Sequence, residues 1–303
     1  MNEKFYEELK QILAEDYIKL KEPMKNHTTF RIGGEADYFV TPQTKEEVQA
    51  VAACCKKFEV PYYIIGNGSN LLVSDRGYRG VIIQIFKMMN QITVEDNLII
   101  AQAGALLSAI AAKALENSLS GFEFAAGIPG TLGGACVMNA GAYGGEMKQV
   151  LKEVTVMDYQ GRIDTLSVCE LEMGYRTSRI AKENLIVLEA KIELEQGDSQ
   201  VIRSLMDELR EKRVTKQPLE YPSAGSTFKR PEGYFAGKLI QDSGLRGFSV
   251  GGAQVSEKHC GFVINKDQAT AADVEELMRK VSAKVKEKFG VTLEPEVKRL
   301  GEF

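Results

Sequence analysis

Seven glycines fall within the nineteen residues from Gly127 to Gly145, in two adjoining windows, Ala126-Gly-Ile-Pro-Gly-Thr-Leu-Gly-Gly134 and Asn139-Ala-Gly-Ala-Tyr-Gly-Gly145. A bare turn needs one or two glycines, and each one loses more conformational freedom on folding than any other residue. Repeated use therefore implies backbone that must take positive φ or let something approach closely. Amides freed between Gly130 and Gly134, at the start of a helix, would offer partial positive charge to a diphosphate without any lysine. Tight packing alone is the competing reading.

The flanking pattern is mixed α and β. Thr44 with Glu47 forms a capping-box signature for a helix over 44–58, with Val48, Val51 and Ala52 on one side. Strand-like runs at 37–40 and 62–65 bracket it and lead into the loop Gly66-Asn-Gly-Ser-Asn70. Short β-prone runs at 81–86, 91–95 and 98–102 precede an apolar helix over 105–119, and the glycine stretch follows. Strands at 154–159, 163–166 and 185–194 come next, then a charged helix over 200–216. Gln217-Pro218 breaks that helix, since proline lacks an amide and restricts its predecessor. Beyond it lie a loop over 221–231, a helix at 234–242, turns over 244–252, a strand at 261–265 and a helix over 271–289.

A chain of 303 residues exceeds the usual single core, so two or three packed lobes are expected. Net charge is −4 and no basic run could track a phosphate backbone, which argues against nucleic acid. No apolar run reaches the ~20 residues of a bilayer span, and the acidic amphipathic opening does not resemble a signal sequence, so a cytoplasmic location is expected. Five scattered cysteines and two histidines, His27 and His259, offer neither a disulfide framework nor a metal-binding spacing, and no metal is expected.

Several motifs fail on context. Gly66–Asn70 is not a dinucleotide fingerprint, because the third glycine would fall at Leu71 and 72–74 reads as strand; an anion-binding loop and a plain turn both remain open. Gly233-Tyr-Phe-Ala-Gly-Lys238 is one spacer short of a P-loop. Gly247-Phe-Ser-Val-Gly251 satisfies G-x-S-x-G but lies in a turn region with His259 too close to serve as a triad partner. Tyr175-Arg-Thr-Ser-Arg179 could clamp a carboxylate or phosphate, with a surface salt bridge as the alternative. Ser223–Pro231 joins a glycine, hydroxyls and cations, and Leu293-Glu-Pro-Glu-Val297 supplies two carboxylates that surface exposure would equally explain.

Taken in order, these segments resemble the UDP-N-acetylenolpyruvoylglucosamine reductase (MurB) family over nearly the whole chain. The likeness runs through Asn26-His-Thr-Thr-Phe-Arg-Ile-Gly-Gly34, Gly66–Leu72, Ala126–Gly134, Gly174-Tyr-Arg176, Ala224-Gly-Ser-Thr-Phe228 and Leu293–Val297. No insertion carrying an extra tyrosine loop is visible, so the chain resembles the shorter subtype.

The resemblance implies an α+β architecture of the FAD-binding vanillyl-alcohol-oxidase (PCMH) type. Two α/β lobes, about 1–85 and 86–197, would form an FAD-binding region over 1–197. A C-terminal α+β domain over 198–303 would bind substrate, its last residues returning to the first lobe. It further implies noncovalent FAD held by Gly66, Asn67, Gly68, Ser69, Asn70, Gly127, Ile128, Pro129, Gly130, Thr131, Gly133 and Gly134. NADPH is the implied hydride donor, UDP-N-acetylglucosamine enolpyruvate the substrate, and a monomer the implied state. Arg176, Ser226 and Glu296 match the family's catalytic arginine, proton-donating serine and catalytic glutamate. An FAD-dependent sugar or alditol oxidase of the same fold and a nonenzymatic nucleotide-sugar-binding module are the rival readings.

Overall fold

In the computed structural model, which describes residues 2–303, a first helix α1 (Glu3–Ile12) turns Phe5 and Leu9 inward. They join Val51, Cys54 and Cys55 of the next helix, α2 (Lys45–Lys57), in one buried cluster with Val81 and Ile83. Thr44 caps α2 by accepting from the Glu47 amide at 3.2 Å. The reciprocal half of the box is displaced, because the Glu47 carboxylate accepts from Gln43 N at 2.7 Å. Strands Ile18–Pro23, Glu35–Val40, Tyr78–Gln84 and Tyr62–Ile65 lie side by side in that order, the last two parallel. The first of them was not visible in the sequence pattern.

Two compact units divide the chain. The larger comprises Met1–Leu20, Tyr38–Asn67 and Gly80–Arg213; the smaller comprises Lys21–Asp37, Gly68–Arg79 and Val214–Phe303.

The larger unit is built on a second, wholly antiparallel sheet of five strands, in the order Ile163–Ser167, Leu151–Met157, Ile186–Glu193, Leu98–Gln102, Ile92–Glu95. Helix α3 (Leu107–Glu116) packs Leu107, Ile110, Ala111 and Ala114 into its core. Helix α4 (Leu132–Met138) adds Leu132, Ala135 and Cys136, and ends at Asn139, whose φ of 45° is the left-handed conformation that stops helices. A one-turn helix α5 (Arg179–Lys182) follows. Helix α6 (Ser199–Lys216) buries only Ile202.

The smaller unit carries a four-stranded antiparallel sheet ordered Ser223–Ser226, Phe262–Asn265, Ala253–Val255, Ser249–Val250. The first strand lies inside the segment expected as a loop. Two helices, α7 (Ala236–Asp242) and α8 (Ala271–Phe289), contribute to its core. Along α8, Ala271, Val274, Leu277, Met278, Val281 and Val285 fall at helical spacing and form one buried face. Thr270 and Asp273 form a reciprocal capping box, and Gly290 ends the helix at φ 71°. Asp75 reinforces the start, accepting from the amides of Ala271 and Ala272 at 2.8 and 3.0 Å, where the helix dipole favours a carboxylate. The final strand Lys298–Leu300 pairs in parallel with Leu71–Val73.

Candidate active site

In the larger unit the two glycine segments meet. The loop after strand Tyr62–Ile65 lies against the segment before α4: Asn67 Nδ2 donates to the Pro129 carbonyl at 3.0 Å. A Cβ on Gly66 would stand 2.2 Å from Thr131 Oγ1, so only glycine lets the chains lie this close. Thr131 is itself buried, at 2% exposure.

The expected helix start is present, but part of its amide charge is already used. Gly130 N donates to Ile128 O, and Leu132 N and Gly133 N donate to Ala105 O and Ala103 O, all at 2.8–2.9 Å. The last two bonds pin the segment to the chain that follows strand Leu98–Gln102. What stays accessible is the surface of Gly127, Pro129 and Gly134, all exposed, and a Cβ on Gly134 would find its nearest neighbour at 3.8 Å. A thin-walled cradle suits an extended phosphate-bearing ligand such as FAD. The second glycine window serves packing instead: a Cβ on Gly145 would meet the Phe124 ring at 2.4 Å, and one on Gly141 would meet Gly145 O at 2.6 Å.

Arg176 also belongs to the larger unit. It occupies the tip of a tight turn in which Gly174 N donates to Thr177 O at 3.0 Å. Its φ of 55° is left-handed, a conformation that costs a side-chain-bearing residue of order 1 kcal/mol and persists only where the surroundings impose it. The surroundings here are Asn139 and Ser178. Buried Asn139 donates to Gly174 O at 3.1 Å and to Glu146 Oε2 at 2.8 Å, and accepts from Lys148 N at 2.9 Å. Ser178 Oγ donates to Val137 O at 2.6 Å. The turn is thus fastened to the end of α4, and the half-buried Arg176 guanidinium lies 5.3 Å from the centre of the Tyr175 ring.

The smaller unit brings Ser226, Asn70 and Glu296 together. Strand Ser223–Ser226 is irregular against Phe262–Asn265, pairing Ser223 with Ile264 and Ser226 with Phe262. Gly225, at φ 75° with nothing within 4 Å of its would-be Cβ, supplies the kink. The result separates two neighbouring hydroxyls. Ser226 is exposed, while Thr227 is buried, its Oγ1 accepting from Val263 N at 2.8 Å. Thr227 O accepts from Glu296 N at 2.8 Å, and Lys229 N donates to Glu294 O at 2.8 Å, so the Glu-Pro-Glu segment runs antiparallel alongside. Asn70 completes the frame, its Nδ2 donating to Glu296 O at 3.3 Å and its own carbonyl accepting from Lys298 N at 2.9 Å. The Glu296 side chain is buried, at 8% exposure. Gly68 turns the preceding loop at φ 62°, 2.1 Å between its would-be Cβ and His27 O, and Ser69 is half-buried beside it.

The discounted motifs have local explanations. Ser249 of the G-x-S-x-G match begins a two-residue strand and its hydroxyl donates to Gly247 O at 3.2 Å. Burial holds the His259 imidazole below its ordinary pKa, and its Nδ1 accepts from Gly261 N at 3.1 Å. His27 Nε2 lies 2.7 Å from Glu22 Oε1. Among the described residues no group of three or more His, Cys, Asp or Glu could hold a metal ion, and no helix is long and apolar enough to cross a membrane. Asn139 and Thr227 escaped the sequence reading. Asn139 was detectable as the Asn that follows an apolar helix, the usual left-handed stop; Thr227 carries no signal apart from its neighbours.

Comparison with known proteins agrees with this geometry. Residues 217–300 match the profile of the UDP-N-acetylenolpyruvoylglucosamine reductase C-terminal domain, and residues 36–167 match an FAD binding domain. The chain is 53% identical over 301 residues to the UDP-N-acetylenolpyruvoylglucosamine reductase of Clostridioides difficile, covering 99% of each protein. It is 54% identical over 297 residues to that of Clostridium perfringens, covering 98% of this chain and 97% of the relative. The crystal structure of the Thermus caldophilus enzyme superimposes with a TM-score of 0.81 at 35% identity, covering 94% of this chain and all of that one. A glucose dehydrogenase, Phl p 4.0202, shares the fold over 65% of this chain at 14% identity and a TM-score of 0.51.

Proposed function

Because the chain belongs to the UDP-N-acetylenolpyruvoylglucosamine reductase family, we propose that Arg176, Ser226 and Glu296 carry the chemistry that defines it. That chemistry is the NADPH-dependent, FAD-mediated reduction of UDP-N-acetylglucosamine enolpyruvate to UDP-N-acetylmuramate, a step in peptidoglycan precursor synthesis. The protein is a flavin-dependent oxidoreductase with FAD as cofactor and NADPH as cosubstrate.

The observation that carries the assignment is the pairing of an exposed Ser226 hydroxyl with a buried Glu296 on adjacent strand segments. FAD, held by the glycine cradle, would supply the hydride-transfer chemistry between NADPH and the methylene carbon of the enolpyruvyl ether. Negative charge then develops on the neighbouring carbon and its carboxylate. Arg176 offers paired donors to those oxygens from a turn fastened to the end of α4. Glu296, in its protonated form, adds a hydrogen bond to the same oxygens. Ser226 gives its proton to the carbon and is replenished from water, which its exposure permits. A hydroxyl is a weak acid, so the role requires a strongly basic partner and a donor held in line.

The cofactor is assigned to Gly66, Asn67, Gly68, Ser69, Asn70, Gly127, Ile128, Pro129, Gly130, Thr131, Gly133 and Gly134, supported by the close approach of Gly66 and Asn67 to 129–131. We assign FAD binding to residues 1–197 and substrate binding to 198–303, which the two family matches support. We also place the protein in the cytoplasm as a monomer whose product serves wall growth, cell shape and division.

The test is Ser226→Ala under single-turnover conditions. Anaerobic reduction of the flavin by NADPH stays near wild-type rate, while reoxidation on adding the enolpyruvyl substrate slows by roughly 10²–10⁴-fold. Unchanged product formation would remove Ser226 from the mechanism.

A further inference from the structure

The side chains of four arginines, Arg31, Arg203, Arg210 and Arg213, make neither an ion pair nor a hydrogen bond among the described residues. Water satisfies the first three, which are exposed; Arg213, near the end of α6, is half-buried. A buried guanidinium without a carboxylate carries a desolvation cost that folded proteins offset with a partner. Here burial pushes Arg213 below its ordinary value, opposed only by the nearby Tyr143 phenol.

Its position suggests what the partner is. The Arg213 stem and head lie over Gly127, the first glycine of the cradle: a Cβ there would meet Cδ at 3.1 Å and Nη1 at 3.5 Å. A side chain at position 127 would therefore press on the arginine, which would have to give by a few tenths of an ångström. Tyr143, the neighbouring phenol, is 47% exposed and held at φ 53°. The backbone amides at Gly130, Leu132 and Gly133 are already committed to carbonyls, so the cradle lacks much of the charge a diphosphate needs.

We infer that Arg213 is the cationic element of the cradle and binds phosphate oxygens of a nucleotide diphosphate. The chemistry is shared by FAD, the UDP moiety of the substrate and NADPH. A guanidinium suits it because two parallel N–H donors match two phosphate oxygens. This rests on reading the glycine bed as a nucleotide seat.

The alternative is that the aliphatic stem merely covers Gly127. Arg213→Met retains a stem of similar length and removes the charge, so it separates the two. Apoprotein is titrated with FAD and with riboflavin, following fluorescence quenching. Holoenzyme is titrated with UDP and with uridine, following the flavin spectrum, and is turned over with NADPH and with reduced nicotinamide riboside. In the arm where Arg213 acts, the diphosphate ligand weakens by about 10- to 100-fold, as loss of a charge-assisted bond predicts, and its phosphate-free counterpart by less than about twofold. Arg213→Lys restores part of the loss. The arm that responds identifies the nucleotide. The inference fails if no arm shows a loss confined to the diphosphate ligand, or if both members of each pair fall equally. Gly66→Ala is run beside it: if that variant still loses FAD while Arg213→Met is silent, Arg213 is excluded and the glycine seat stands; if both are silent, the seat goes too.

Discussion

Replacing Gly66 with alanine tests the cradle at its tightest point. The added methyl would stand 2.2 Å from Thr131 Oγ1 and 3.2 Å from Thr131 Cβ. An ordinary contact needs about 3.4 Å or more, so the hydroxyl must retreat by roughly 1.2 Å. It has little room: Thr131 is 2% exposed, and the bonds of Leu132 and Gly133 to Ala105 and Ala103 hold its backbone. The loop must therefore lift instead, lengthening the 3.0 Å Asn67–Pro129 bond. Overpacking of this kind costs about 1–3 kcal/mol. If the lifted loop is part of the FAD seat, the same energy appears as about 5- to 150-fold weaker FAD binding. Thr131→Ala removes the offending oxygen, so the double variant should recover most of the loss. The assay is FAD titration of apoprotein for wild type, both single variants and the double variant, with far-UV circular dichroism as a check on folding. FAD affinity within twofold of wild type in Gly66→Ala, or a double variant no better than the single, would refute the argument.

Asn139→Ala should lower the melting temperature by several degrees and cut the rate of substrate reduction, since it removes three buried hydrogen bonds and the left-handed cap behind Arg176; an unchanged melting temperature would contradict it. Asp75→Ala should cost about 0.5–2 kcal/mol in urea unfolding, because two amides at the start of α8 lose their acceptor. Native protein at pH 8 should show one rapidly reacting thiol, exposed Cys169. Burial pushes Cys54 up to about 11 and Cys55 and Cys136 up to about 12, so their reactive thiolates are scarce until the pH nears those values or the chain unfolds. Fast reaction of two or more thiols would sink that reading.

Much of this was legible in the chain. The Thr44 cap signal and apolar periodicity marked α2 closely, and the helix expected over 271–289 coincides with α8. Arg176, Ser226 and Glu296 were reached through the order of short motifs, each weak on physical grounds alone. Strand Ser223–Ser226 was missed because Gly and Ser carry little β preference; its pairing to Phe262–Asn265 and the buried Thr227 make it a strand. The glycine stretch hid a division of labour. Its first half lines a cradle, and its second half packs on Phe124, a distinction set by partners distant in sequence. Arg213 was silent for the same reason: nothing in a charged helix says which of its cations is turned inward.

The Ser226-Thr227 pair places two nearly identical hydroxyls one peptide apart, and Gly225 decides which of them meets solvent. The proposed proton donor is thus selected by strand register and not by side-chain chemistry. A deletion that slid this segment by one position would leave a hydroxyl at the surface and another in the interior, yet exchange their duties. Such a protein would differ by a single residue and keep its fold while losing the alignment between acid and acceptor. In this stretch, evolution has more freedom to change residues than to change their count.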